Sequence, residues 1–113
     1  MDIIFADKNL KKYANDDRLA DKKLGAKRAK YFRQRLKDLS NAETYADLEY
    51  LPGNFHPLKN NRKGQWACDL DQPYRLVFEP VENPIPTDKD GKYILIEIKT
   101  VDVLEITNYH KEG

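Results

Sequence analysis

Residues 55–79, FHPLKNNRKGQWACDLDQPYRLVFE, decide how this chain folds. Residues 65–70 carry a partial apolar alternation, and residues 74–78 are rich in aromatic and β-branched side chains, so both segments are predicted to be β-strands. Between them, Asp71, Gln72 and Pro73 are residue types that favour a tight turn. The stretch therefore predicts an antiparallel hairpin against which the other elements pack.

A cationic loop precedes this hairpin. Lys59, Arg62 and Lys63 lie close together in sequence, and Gly64 beside them allows a close approach of the backbone to a ligand. Arg75 follows the turn and lies in an apolar strand, where a cation must either form an ion pair or face a polar cleft. Several fixed cations without a carboxylate cluster suit a phosphodiester better than a metal ion or a sugar.

The residues before residue 55 predict one strand followed by helices. Residues 2–6 form a short apolar run, Asp7 is a typical N-cap, and a second helical segment ends near Gly25. A long helix follows, with an apolar stripe at spacings of three and four that comprises Ala29, Phe32, Leu36 and Leu39. Its other surface is expected to be solvated and carries Lys27, Arg28, Lys30, Arg33, Arg35 and Lys37.

The remaining segments complete an α+β fold. Thr44 and Asp47 predict the start of a short helical turn, and the proline-rich, acidic residues 80–91 predict an exposed loop. Alternating apolar residues from residue 94 onwards predict the last central strand, with a bulge or break near Thr100 because the alternation changes phase. We expect residues 1–113 to form one domain with helices on one face of a curved, antiparallel-rich sheet and a binding surface on the opposite, concave face.

Composition limits the cellular context. Lys and Arg outnumber Asp and Glu by 12 to 5 in residues 7–41, whereas acids outnumber bases by 8 to 4 in residues 79–113. Such asymmetry is typical of a surface that meets a polyanion, and also of a solvated basic helix. Cys68 is the only cysteine, and the sequence contains neither a signal-peptide pattern nor a membrane-length apolar run. These features indicate a reducing, cytoplasmic location without a membrane.

Four separated motifs resemble one toxin family. They are HPLK at residues 56–59, RKGQW at 62–66, YRLVF at 74–78 and NYH at 108–110. In this order they are similar to the RelE/HigB-like toxins, of plasmid maintenance killer type, from bacterial type II toxin-antitoxin systems. The resemblance implies a RelE-like fold and a ribosome-dependent messenger RNA endoribonuclease that needs no metal or other cofactor. The implied partners are a cognate helix-turn-helix antitoxin, the ribosome and messenger RNA, with operator DNA bound only through the antitoxin complex.

The resemblance also assigns candidate site residues. The candidate catalytic residues are Lys59, Arg62, Arg75, Tyr109 and His110, and the candidate RNA-binding residues are His56, Lys63, Trp66 and Asn108. RNA cleavage by its own 2′-hydroxyl needs a base, an acid and a cationic site for the charged intermediate. Arginines suit the last role, and His110 is the candidate acid. Trp66 can stack on a base or belong to the core, and His56 can contact RNA or shape the strand start.

Two departures from the family pattern leave alternatives open. Asn108 stands where the family's closing motif usually has Asp, and Asp71 occupies a turn where some relatives carry an additional basic residue. A toxin of the same fold directed at DNA gyrase is one alternative to the nuclease. A catalytically inactive binding module that regulates transcription with its antitoxin is another.

Overall fold

The computed structural model describes residues 1–108. Strand β1 (Asp2–Phe5) leads into three helices, α1 (Lys8–Ala14), α2 (Asp17–Leu24) and α3 (Ala26–Asn41). The first helix begins where the sequence predicts, because the Asp7 carboxylate accepts the backbone N–H of Leu10 at 2.9 Å. Asp16 caps the second helix in the same way and accepts the backbone N–H of Leu19 at 3.0 Å. No helix in this range is long and apolar enough to span a membrane.

Within residues 1–108, five strands form one open sheet. The others are β2 (His56–Pro57), β3 (Trp66–Asp69), β4 (Tyr74–Glu79) and β5 (Thr100–Asn108), in the order β1-β5-β4-β3-β2. Strand β1 runs parallel to β5 and the remaining pairs are antiparallel. Short 3-10 helices lie at Tyr45–Tyr50, Asn60–Arg62 and Leu95–Glu97. The predicted α+β class, hairpin and helical turn after Thr44 are confirmed.

One face of the sheet packs on the helices. Phe32 and Leu39 of α3 join Leu76 and Phe78 of β4 in the core, all fully buried. Cys68 of β3 lies in the same cluster, and burial raises the pKa of its thiol, which therefore stays protonated. Because side chains alternate along a strand, Arg75 lies on the opposite face of the sheet.

The last strand differs from its prediction. Residues around Ile96 form a 3-10 helix with Ile96 itself 66% exposed, so the strand predicted from residue 94 begins only at Thr100. The pairing of β5 with β4 is irregular at Leu104, because Phe78 pairs with Val103 while Val77 pairs with Glu105. Leu104 is thus an extra residue that reverses the facing of everything after it.

Two arginines of α3 also differ from their prediction as solvated residues. Arg35 is only 8% exposed and its Nε donates to the Asp69 backbone oxygen at 2.7 Å. Arg28 donates to both carboxylate oxygens of Asp71 at 3.0 and 3.2 Å, and its guanidinium lies 3.5 Å from the centre of the Tyr74 ring. Both arginines therefore fasten α3 to the β3–β4 hairpin, and Asp71 serves this contact.

Replacing Arg28 with alanine is expected to lower the free energy of unfolding by about 1–2 kcal/mol, because a two-bond ion pair and a cation–π contact are lost together. Urea denaturation of Arg28→Ala, Asp71→Ala and the double variant checks this. The double variant should lose less than the sum of the single losses, because the two side chains share one interaction. Lys27→Ala, an exposed neighbour on α3, is the control and should change little. Additive losses would show that the two side chains act independently.

Candidate functional site

A cleft of about 430 Å³ opens on the sheet face opposite the helices. Three cations, Lys59, Arg62 and Arg75, line it together with Leu58, Asn60, Asn61 and Thr107. The first two cations come from the loop between β2 and β3, the third comes from β4, and Thr107 comes from β5. Residues far apart in sequence thus meet in one polar depression.

The loop that carries Lys59 and Arg62 is closed by its own backbone. The Leu58 N–H donates to the Gln65 oxygen at 2.8 Å, and the Arg62 N–H donates to the Lys59 oxygen at 3.1 Å. Asn60 has a φ of 57°, a left-handed conformation that Asn tolerates better than most residues. These contacts give the loop a defined shape before any ligand binds.

Arg62 is held from two sides. Its Nη1 donates to the Gln65 side-chain oxygen at 2.9 Å, and its Nη2 donates to Glu105 Oε1 on β5 at 3.3 Å. The first partner belongs to the same loop, whereas the second belongs to the sheet. These two contacts therefore hold the guanidinium between the loop and β5, where it also lines the cleft.

Arg75 is positioned by the sheet itself. It lies in the middle of three strands, opposite Asp69 on β3 and Thr107 on β5, and is only 8% exposed. Its side chain lines the polar cleft. The backbone of a strand residue that is paired on both sides has little freedom to move, so the sheet fixes the point from which the Arg75 side chain enters the cleft.

The cleft is cationic for local reasons. The strongly basic residues 7–41 form the helical layer, and within the described range none of their side chains lines the cleft. The charge asymmetry along the sequence therefore does not build this site. No group of three or more His, Cys, Asp or Glu residues among residues 1–108 is arranged to hold a metal ion.

Other predicted site residues lie elsewhere. The prediction that Trp66 binds RNA is wrong. Trp66 is 4% exposed, and the centre of its ring lies 4.9 Å from that of Tyr45 and 5.4 Å from that of Tyr93, so no ring face is open to an RNA base. Lys63 is exposed but does not line the cleft.

His56 and Asn108 do not line the cleft. His56 pairs with Ala67 on the open face, and its Nδ1 lies 2.7 Å from the Asn54 backbone oxygen, so Nδ1 carries the proton. Asn108 pairs with Tyr74, and the adjacent pair, Arg75 and Thr107, lines the cleft. Because side chains alternate along a strand, Asn108 lies on the opposite face of the sheet, which does not fit its predicted contact with RNA. Predicted residues Tyr109 and His110 lie outside the described residues.

The structure adds two residues that the sequence patterns did not single out. Thr107 lines the cleft and Glu105 contacts Arg62. The side chains of Val101 and Val103 point into the core. Because residues 101, 103, 105 and 107 would share one face of a regular strand, alternation alone would place Glu105 and Thr107 in the core as well. Only the extra residue Leu104 turns them to the open face. The mismatched apolar phase at Leu104 and Ile106 was the available signal.

Residues 3–89 match a family model described as the RelE-like toxin of the type II toxin-antitoxin system HigB. The chain belongs to this HigB-like toxin family. Membership in a type II toxin-antitoxin family implies an antitoxin partner. The matched segment contains all three cations of the cleft, and it ends before β5 with Thr107 and Asn108. No curated protein matches the sequence.

Proposed function

We propose that this HigB-like toxin is a ribosome-dependent messenger RNA endoribonuclease. The observation that carries the proposal is the convergence of Lys59, Arg62 and Arg75 in one cleft. Two cations of one loop and a third from β4 line the same cleft, and such a cluster of guanidinium and ammonium groups suits a phosphodiester. The polar lining by Asn60 and Thr107 offers further hydrogen bonds to phosphate or sugar oxygens.

The proposed reaction is attack of the RNA 2′-hydroxyl oxygen on the adjacent phosphorus. The new bond joins O2′ to phosphorus, the bond from phosphorus to O5′ breaks, and a cyclic phosphate and a 5′-hydroxyl result. Arg62 and Arg75 stabilise the additional negative charge on the five-coordinate phosphorus through their planar, two-donor guanidinium groups. Their enclosure strengthens this effect, because Arg75 is almost fully buried.

Proton transfer completes the proposed mechanism. His110 protonates the departing O5′, since an imidazole exchanges protons near neutral pH. Lys59 either stabilises the negative charge or acts as the base that removes the 2′-hydroxyl proton. Tyr109 either orients the base or donates a proton. Thr107 lines the cleft, and Tyr109 and His110 follow it within three residues in the sequence, which supports assigning the remaining groups to this end of the chain.

The proposed partners follow from this activity. The toxin acts in the cytoplasm on translated messenger RNA bound to ribosomes, and a cognate helix-turn-helix antitoxin neutralises it by covering or distorting the cleft. Operator DNA is bound only through the complex with the antitoxin. A reading frame for such a small antitoxin is expected next to the toxin gene.

Primer extension on messenger RNA from cells that express the chain tests the proposal. We expect new 5′ ends within translated reading frames soon after induction, and none on the same transcript with its start codon removed, because cleavage requires translation. An induced DNA-damage response without new ends would instead favour the gyrase-directed toxin. Absence of both effects and of growth arrest would favour an inactive binding module.

A further inference from the structure

The carboxylate of Glu105 has no part in the reaction proposed above, although it lies beside the cleft. Glu105 is opposite Val77 and two residues from Thr107, on the face that carries the cleft. Its Oε1 accepts from Arg62 Nη2 at 3.3 Å. We infer that Glu105 is a positioning residue, which holds the Arg62 guanidinium where it meets the scissile phosphate. This inference rests on the proposed nuclease function.

The location of Glu105 explains why this contact matters for geometry. Arg62 lies on a loop, and its partner Gln65 belongs to the same loop and moves with it. Glu105 instead belongs to the sheet that also carries Arg75, because β4 and β5 are directly paired. The contact between Arg62 and Glu105 therefore fixes the position of one guanidinium relative to the other. Such preorganisation matters most in the transition state, where both must reach phosphate oxygens at once.

The negative charge of Glu105 acts on the cations of the cleft and also on a bound phosphate, and these two effects have opposite signs. A carboxylate next to Arg62 reduces the repulsion among the three cations of the cleft, which stabilises their convergence. The same negative charge also repels a phosphate in the bound ground state. Glu105 is thus expected to weaken RNA binding while it accelerates the chemical step. A residue that only supported the fold would not separate binding from rate in this way.

The test compares Glu105→Gln and Glu105→Ala with the wild type. Glu97→Gln is the matched control, because it removes the same charge from an exposed residue far along the chain from the cleft loop. Purified ribosomes programmed with a short messenger RNA report the single-turnover cleavage rate. The same messenger with a 2′-O-methyl group at the cleaved nucleotide blocks the attack and reports affinity alone.

We expect Glu105→Gln to bind the methylated complex as tightly as the wild type or more tightly, while its cleavage rate falls about 10- to 100-fold. Glu105→Ala should be slower still, because an alanine at position 105 offers Arg62 no acceptor from β5. A parallel fall of rate and affinity, or behaviour identical to Glu97→Gln, would overturn the inference.

A measurement without cleavage separates this inference from the proposed function. In nuclear magnetic resonance spectra of the free protein, restricted rotation should give the Arg62 guanidinium resolved Nη signals, and Glu105→Ala should average them. Loss of these signals in Glu105→Ala supports the positioning contact even if the wild type cuts no RNA, an outcome that would remove the nuclease proposal alone. Unchanged signals in Glu105→Ala would overturn the positioning inference even if the wild type is an active nuclease.

Discussion

Replacing Arg75 with alanine is expected to reduce messenger RNA cleavage at least 100-fold and to abolish growth arrest. Removal of one preorganised donor to a transition-state oxyanion costs enzymes about 10²–10³ in rate. Arg75 is held between two paired strands and reaches the cleft from the sheet, so no other side chain of the cleft loop can take its place. Growth after induction and primer extension on a reporter transcript measure the two effects.

Two companion variants make this result specific. Arg75→Lys keeps the charge but loses the planar pair of donors, so it should retain a small part of the cleavage rate. Arg18→Ala removes an exposed cation from α2 in the helical layer and should leave growth arrest intact. Because Arg75 is buried, circular dichroism and thermal denaturation must show that each variant folds. Full toxicity of a folded Arg75→Ala variant would remove the proposed mechanism.

Replacing Gly53 with alanine is expected to lower the free energy of unfolding by about 2–4 kcal/mol. Gly53 has a φ of 112°, which alanine rarely adopts, and an added Cβ would lie 2.6 Å from the Cζ and Nε atoms of Arg35. Arg35 cannot withdraw without cost, because its Nε donates to the Asp69 oxygen, while the Asp69 N–H donates to the Gly53 oxygen at 2.7 Å. Urea denaturation measures the loss.

A comparison with Gly91 separates the two causes of this loss. Gly91 also has a positive φ, of 81°, but an added Cβ would meet nothing within 4 Å. Gly91→Ala should therefore show only the backbone strain, about 1–2 kcal/mol. In the double variant Gly53→Ala with Arg35→Ala, the combined loss should be smaller than the sum of the two single losses. Equal losses for the two glycine variants would contradict the proposed clash.

Local patterns in the sequence were sufficient for much of the fold. Asp7 and Gly25 marked helix ends that the structure confirms, since capping depends on residues within one helical turn. The hairpin was equally visible, because its turn and both strands lie within a few residues of each other. The loop cations Lys59 and Arg62 and the strand cation Arg75 were also recognised, and the structure brings these three together.

The sequence by itself thus determined the helices, the hairpin, the toxin family and the three cations of the cleft. Only the tertiary structure decided that Trp66 is buried, that Arg28 and Arg35 fasten the hairpin, and that Glu105 reaches Arg62. The physical reason is that the interacting residues are far apart along the sequence. The contacts of these arginines depend on partners 34–43 residues away, and the burial of Trp66 depends on Tyr45 and Tyr93 from other parts of the chain. The facing of β5 depends on one extra residue whose effect appears only when the strand is paired with its neighbour.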